Sequence, residues 1–341
     1  MLKFMIPNKF DFEELDWISY INSKYSNKIV EIFGSVASDK LGSVRERYRL
    51  PDMSDSDLRK YVSEAKSRGI TVSYTINLSC FGSFDDLYNK IKIMDYLNWL
   101  LDMGIEQVIV ANPAIAEIIT NNTNLNIEIS TVAFVNSLDK LKFWVENFRV
   151  NKLCPDFSIN RDFGLLKEMS KIIEVQLMVN EPCLYNCPMR QFHNNLQSHV
   201  ISKNDIIDRW PLRVCTAIKA ANEVEWLKCP FIRPQDLRFY QERCDISSFK
   251  IVGRTFPLSF VKTSVEPYLK EYYDGNLLDL IPLLQNIQKD VQEIPLYIDC
   301  KKLDGFIEGF SDKNCFKGCI NCQYCNGWAK KVILKNDKLK F

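Results

Sequence analysis

Short apolar runs alternate with amphipathic stretches along most of the chain. Leu2–Ile6 is the first run, and a helical pattern follows over Phe12–Tyr25, where Leu15, Ile18 and Ile21 recur at three-residue spacing. Ile29–Phe33 reads as the next strand. After a polar loop comes a helix over Asp55–Ser67, with Asp55 or Ser56 as its cap and Gly69 as its stop. Thr71–Ile76 reads as a strand, Phe84–Met103 as a helix ended by Gly104, and Gln107–Val110 as a strand. The apolar run Ala114–Ile119 follows, then Asn126–Phe134, a helix over Leu138–Phe148, and a run at Leu153–Ile159. A helix over Leu165–Ile172, a strand at Glu174–Val179, a last strand at Phe249–Val252 and a helix over Phe260–Tyr273 complete the pattern.

Strand alternating with helix implies parallel strands joined by crossover helices. Eight strand candidates predict an α/β fold, a closed TIM-like (β/α)8 barrel. The alternative is a doubly wound open sheet, which no Gly-rich dinucleotide fingerprint supports. The barrel is expected over residues 1–290. Residues 291–341 read as a small cysteine-rich C-terminal appendage, with a strand at Pro295–Asp299 and too few residues for a core of its own without a staple such as a metal.

With 341 residues, 46% hydrophobic and 26% charged, the chain can bury a large core. A net charge of +1 gives no general reason to expect nucleic acid or an anionic membrane as partner. Lys330, Lys331, Lys335, Lys338 and Lys340 form a local basic run, which reads as a solvated tail. The start MLKFMIPNKF has no long apolar core of a signal peptide, and no run of about 18 apolar residues suggests a membrane span. A cytoplasmic location follows as an expectation. There, twelve cysteines favour metal binding over disulfides.

Two cysteine groups carry the chemistry. Cys183 and Cys187, in NEPCLYNCPMRQFH, follow the strand Glu174–Val179 directly, where a barrel places its site. Cys215 and Cys229 lie further on. Four thiolates can hold a four-iron cluster or a tetrahedral zinc, and four separate packing cysteines are the third possibility. The second group, Cys315, Cys319, Cys322 and Cys325 in CFKGCINCQYC, packs four thiols and the turn-making Gly318 into eleven residues. That density predicts a metal, either zinc or a second cluster. Cys80, Cys154, Cys244 and Cys300 read as packing residues, with Cys80 and Cys154 near the barrel mouth.

VNEPCLYNCPMRQFH, together with KCPFIRPQDL, FKIVGRTFP and YLKEYYDGNLLDL between Lys228 and Leu280, resembles peptidase family U32, the collagenase-like proteins. The resemblance implies a barrel with an iron–sulfur centre, a 4Fe-4S cluster, between the seventh and eighth strands. It also implies oxygen-independent hydroxylation, of the ubiquinone ring or of bases in tRNA and rRNA, some with prephenate as oxygen source. Cys183, Cys187 and Cys229 match the family's ligand positions, with Cys215 standing third in order. The first pair is closer together than is usual in the family, and a Gly-rich stretch is missing.

Both histidines, His193 and His199, follow the first cysteine pair, and Arg190 precedes His193 by one helical turn. Arg190 and His193 suit anion binding and proton transfer, or else a surface polar pair. Arg233, Lys250 and Arg254 suit a small carboxylate or phosphate substrate or donor at the mouth, or else salt bridging at the barrel end. Glu31, inside the second strand, needs a buried partner, and Lys250 or Arg254 is expected to supply it. Asn77 and Asn112 end two strands as polar contacts. No Ser–His–Asp pattern, HExxH or Walker-type loop is present, which counts against a peptidase. The chemistry expected is therefore an atom transfer on a small molecule, a nucleotide base or a peptide. A peptidase, or a non-catalytic subunit paired with a second barrel, homodimeric or heterodimeric, remains the alternative.

Overall fold

The computed structural model describes residues 1–38, 41–80, 90–199, 210–283, 294, 296–311, 313, 315, 318–319 and 321–335. Eight parallel strands close into a barrel in sequence order: β1 Lys3–Pro7, β2 Lys28–Gly34, β3 Thr71–Ile76, β4 Gln107–Val110, β5 Asn126–Ile129, β6 Val150–Leu153, β7 Glu174–Met178 and β8 Ser248–Lys250. Closure is made where β1 pairs with β8, Lys3 opposite Ser248 and Met5 opposite Lys250. The closed form wins over the open sheet because each strand finds a partner on both edges, which leaves no edge to protect.

Helices α1 Phe12–Lys24, α2 Asp55–Ser67, α3 Lys90–Asp102, α4 Pro113–Asn122, α5 Leu138–Asn147 and α6 Phe163–Ser170 lie in the connections between successive strands through β7. Ser54, not Asp55 or Ser56, caps α2, because its hydroxyl accepts the Asp57 N–H at 3.2 Å. Gly69 and Gly104 end α2 and α3 at φ +73° and +81°, where a side chain would be strained. Ala114–Ile119 lies within α4, started by Pro113 and capped by Asn112, whose side chain accepts from the Ala114 N–H at 2.9 Å. Asn112 is thus a helix cap. The expected helix from Phe84 is described only from Lys90, its first turns lying outside the described residues. The run Asn126–Phe134 divides into a short strand and a 3-10 turn. In Leu153–Ile159 only Leu153 belongs to a strand, the end of β6, and the rest is a loop and the 3-10 turn Phe157–Ile159, because the strand lies earlier, at Val150–Leu153.

The connection from β7 to β8 differs from the others. It carries α7 Arg190–Ser198, α8 Trp210–Ala221, α9 Val224–Lys228 and α10 Leu237–Cys244. After β8 comes α11 Leu258–Lys270. The chain then forms β9 Leu296–Ile298, which pairs antiparallel with β10 Ile333–Lys335 across α12 Tyr324–Val332. Lys330 and Lys331 therefore belong to a helix, while Lys338, Lys340 and Pro295 lie outside the described residues. Leu303, Phe306, Phe310 and Val332 of this last segment join the same continuous core that fills the space between barrel and helices.

Inside the barrel the filling is partly polar. Met5, Phe33 and Ile109 form a small apolar cluster. Glu31 reaches across to Lys152 and accepts from Ser73 and Gln107; Glu128 pairs with Lys250 at 2.9 Å. The partner of Glu31 is thus Lys152, not Lys250 or Arg254. Lys250 is held by Glu128 on the facing strand. Burial raises the Glu31 carboxyl above its usual range, with Glu128 adding to it. Burial works against the Lys152 ammonium, but Glu128 and Glu31 outweigh it and hold its pKa up. Two acids and two lysines in alternation leave the barrel axis neutral, the condition under which such groups stay buried.

Candidate functional site

At the C-terminal ends of the strands, Cys154, Phe157, Met178 and Val252 form an apolar floor, and Cys183 packs against it from the loop after β7. Cys154 is therefore at the mouth, as the sequence suggests. Beside this floor Arg254 is buried and donates to three hydroxyls, Thr75, Ser43 (3.1 Å) and Ser35 (3.3 Å). Asn77, at the end of β3, donates to Ser130 at 3.2 Å, and its Oδ1 is buried without a hydrogen-bond partner.

Helix α7 crosses the mouth. At one end Arg190 pairs with the buried Asp156 after β6, and its guanidinium lies 4.2 Å and 4.6 Å from the ring centres of Phe157 and Phe134. At the other end Asn195 and Ser198 meet Ser79 after β3, with Ser79 donating to Asn195 Oδ1 at 2.7 Å. One helix thus bridges two strand ends of the barrel. His193 sits between these anchors. Burial, and then Arg45, lowers its pKa, against the opposing pull of Glu46 and Glu181. Arg190 Nη1 is buried with no hydrogen-bond partner, a polar group available to a ligand, while Glu46 Oε2, also without a hydrogen bond, pairs with Arg49 at 3.8 Å. A cavity of about 290 Å³ opens here, lined by Phe134, Asp156, Asn186, Cys187 and Arg190.

Three cysteines of the β7–β8 connection, Cys183, Cys215 and Cys229, lie around one cation. Lys219 on α8 donates to the Pro182 carbonyl and lies 4.3 Å from the Trp226 ring centre. Cys229 donates to the same Pro182 carbonyl at 3.3 Å. Burial raises the thiol pKa of Cys183, Cys215 and Cys229, and the Lys219 ammonium pulls all three back. Cys187 lies near enough to act on Cys215. The four thiols share a neighbourhood but not a finished ligand sphere: among the described residues no three of His, Cys, Asp and Glu are already placed to hold a metal ion.

Arg161, after β6, was not legible as a site residue. It is buried and donates to the carbonyls of Leu227 (2.9 Å), Lys228 (3.3 Å) and Cys229 (2.8 Å). Its guanidinium also lies 4.5 Å, 5.2 Å and 5.5 Å from the ring centres of Phe310, Phe306 and Phe231. Its charge reaches Cys315 and Cys325 as well, so it stands between the two cysteine groups. A second cavity, about 480 Å³, is lined by Arg161, Lys167, Tyr185, Arg243, Lys313 and Cys315.

Arg233 does not serve a mouth site. It is 2% exposed, forked onto Asp236 at 2.6 and 2.9 Å, and bonded to Asp304 (2.9 Å) and the Cys300 carbonyl (2.6 Å). It fastens the C-terminal segment to the barrel. Cys244 and Cys300 are buried packing residues, as expected. Lys219, Asp156 and Arg161 were missed because each acts through a neighbour distant in sequence.

Among the described residues no helix is long and apolar enough to cross a membrane. The model of peptidase family U32 matches residues 36–156, a span that ends before the first cysteine pair. An "uncharacterized protease", MJ1657 of Methanocaldococcus jannaschii, is 32% identical over 344 residues, covering 97% of this chain and 98% of that protein. The solved structure of the U32 peptidase Mk0906 superposes with a TM-score of 0.53 at 18% identity, covering 74% of this chain and 93% of that one, a likeness of fold. By its sequence relationship along nearly the whole chain and the barrel it shares, the protein belongs to peptidase family U32.

Proposed function

We propose that the protein is an iron–sulfur enzyme of the U32 type that carries out oxygen-independent hydroxylation or a related atom transfer on a small molecule, a nucleotide base or a peptide. The observation that supports it is that Cys183, Cys215 and Cys229 lie around Lys219 with Cys187 near Cys215, and that Cys183 packs against the floor of the barrel mouth. In donor type and neighbourhood these residues fit a four-iron cluster, which takes one soft thiolate per iron. Bound there, the cluster supplies one-electron chemistry and a Lewis-acidic iron.

The remaining work falls to side chains of the mouth. Arg190 lines a cavity beside Cys187 and has a buried Nη1 without a hydrogen-bond partner, and Arg254 is buried among hydroxyls. Both suit a carboxylate or phosphate of a small anionic substrate or donor. His193, favoured neutral by burial, is free to accept a proton near neutral pH. Helix α7, anchored at both ends, spans the mouth between Asp156 and Ser79. The same reading implies a reducing, cytoplasmic compartment, in which thiols stay available to metal.

The test is anaerobic purification of the wild type, Cys183→Ala and Cys229→Ala, with iron and sulfide analysis and an absorption spectrum. Iron, sulfide and a broad band near about 400 nm are expected of a thiolate-held cluster, with one cluster's iron and sulfide lost in both variants. A wild type that holds no iron under these conditions overturns the reading. Peptide hydrolysis surviving replacement of Cys183 and Cys187 would instead favour the peptidase that the relative's name suggests.

A further inference from the structure

The second cysteine group, like the first, is not already closed around a metal ion among the described residues, but its backbone and its surroundings bring the thiols into one neighbourhood. The Gly318 N–H donates to the Cys315 carbonyl at 3.1 Å, with Gly318 at φ +90°, a conformation that glycine adopts without strain. The Cys322 N–H donates to the Cys319 carbonyl, also at 3.1 Å. Cys325 is the second residue of α12. Two backbone hydrogen bonds and a helix start thus tie the described residues of the segment together. Each of Cys315, Cys319 and Cys322 lies close enough to act on Cys325.

The group is mounted on a rigid base. The Tyr324 ring stacks on Phe306 at 5.7 Å and 7°, and Phe306 stacks on Phe231 at 6.1 Å and 14°. The Tyr324 hydroxyl donates to the Phe306 carbonyl at 2.8 Å. Phe231 lies two residues after Cys229, so an aromatic ladder links one cysteine group to the other. Among the described residues three cations lie near the tail group: Arg161 acts on Cys315 and Cys325, Lys313 acts on Cys315, and Cys319 and Cys325 act on Lys228. A divalent zinc or a four-iron cluster held by four thiolates carries a net negative charge, which these cations offset.

We propose that Cys315, Cys319, Cys322 and Cys325 hold one thiolate-ligated metal centre, separate from the β7–β8 group, and that it pins the C-terminal segment against the barrel beside Arg161. The ligand is a thiophilic metal, a zinc ion or an iron–sulfur cluster. Both share the four-thiolate chemistry, and metal analysis tells them apart. Among the four cysteines, Cys322 is exposed and the other three are only part-buried. A metal supplies the cross-link that packing does not.

The full chain is purified anaerobically as wild type, as Cys319→Ser/Cys322→Ser, and as Cys183→Ser/Cys229→Ser, and zinc, iron and sulfide per chain are measured for each. The tail variant is expected to lose one zinc, or one cluster's iron and sulfide, and the mouth variant to keep that same metal. A tail variant with the metal content of the wild type overturns the proposal, whatever the mouth variant shows. Loss of all metal in both variants overturns the separateness of the two centres. If the mouth variant alone loses metal, the proposed enzyme reading stands and this one fails. Should the tail variant not fold, the wild type is stripped of metal with a thiol-reactive mercurial and digested with trypsin. New cleavage confined to residues beyond Phe310 is expected, and an unchanged pattern overturns the proposal.

Discussion

Arg161 and Cys229 are joined by a hydrogen bond of 2.8 Å from guanidinium to backbone carbonyl, which fixes a cysteine of the β7–β8 connection to the loop after β6. The same guanidinium holds the carbonyls of Leu227 and Lys228. Arg161→Leu would leave three carbonyls without this donor, at about 1–3 kcal/mol for each that stays buried and unsatisfied. A stability loss of about 3 kcal/mol or more is expected, read as a lower urea midpoint. Faster proteolysis of the chain beyond Glu308 should accompany it. A midpoint unchanged from the wild type would show that water replaces the guanidinium at no cost.

Arg233 and Asp236 form a buried fork next to the C-terminal segment. Removing one charge of such a pair costs about 3–5 kcal/mol, because the other stays buried and unpaired. Arg233→Met is therefore expected to lower the denaturation midpoint while leaving metal content per folded molecule as in the wild type. Selective loss of metal from well-folded Arg233→Met would instead give this residue a role in the site.

The Glu31–Lys152 pair spans the barrel interior. Glu31→Gln and Lys152→Met should each destabilise by about 3–5 kcal/mol. The double variant should cost clearly less than the sum, since neither partner is left as an uncompensated charge. Denaturant titration of the four proteins gives the coupling, and strict additivity would mean that the two charges are each satisfied by other groups.

His193 is pushed below its ordinary value of 6.5 by burial and by Arg45. As pH falls through 6.5, the unfolded chain takes up this proton before the folded one does. The folded state therefore loses stability from about pH 6.5 downward until its own, lower pKa is passed. His193→Gln should flatten that slope. An NMR titration should place the His193 midpoint below 6.5, and a midpoint above it would mean that Glu46 and Glu181 dominate.

The barrel was legible because its strands are apolar runs separated by amphipathic helices, and that pattern depends only on neighbours in sequence. Ala114–Ile119 shows the limit: its six residues carry no periodicity that separates a buried strand from a helix, and Pro113 with the Asn112 cap settles it. Helices α7, α8 and α9, described between β7 and β8, were not anticipated, because they meet the mouth and the tail, whereas α10 packs on α6 as an ordinary barrel helix does. The cysteines were visible as residue types. Their common neighbour Lys219 was not, since α8 reaches Pro182 only through the fold. Glu31 was recognised as a buried acid, but its partner sits four strands away on β6, and sequence offers no measure of distance across a barrel.

The last strand also sets an order of events. β8 is the piece that joins β7 to β1, and the whole cysteine-bearing connection precedes it in the chain. During synthesis the thiols leave the ribosome while the barrel is still an open sheet with two free edges. Their loop is thus exposed before the ring shuts, and a chain stopped short of Ser248 would present the edges of β1 and β7 to any passing strand.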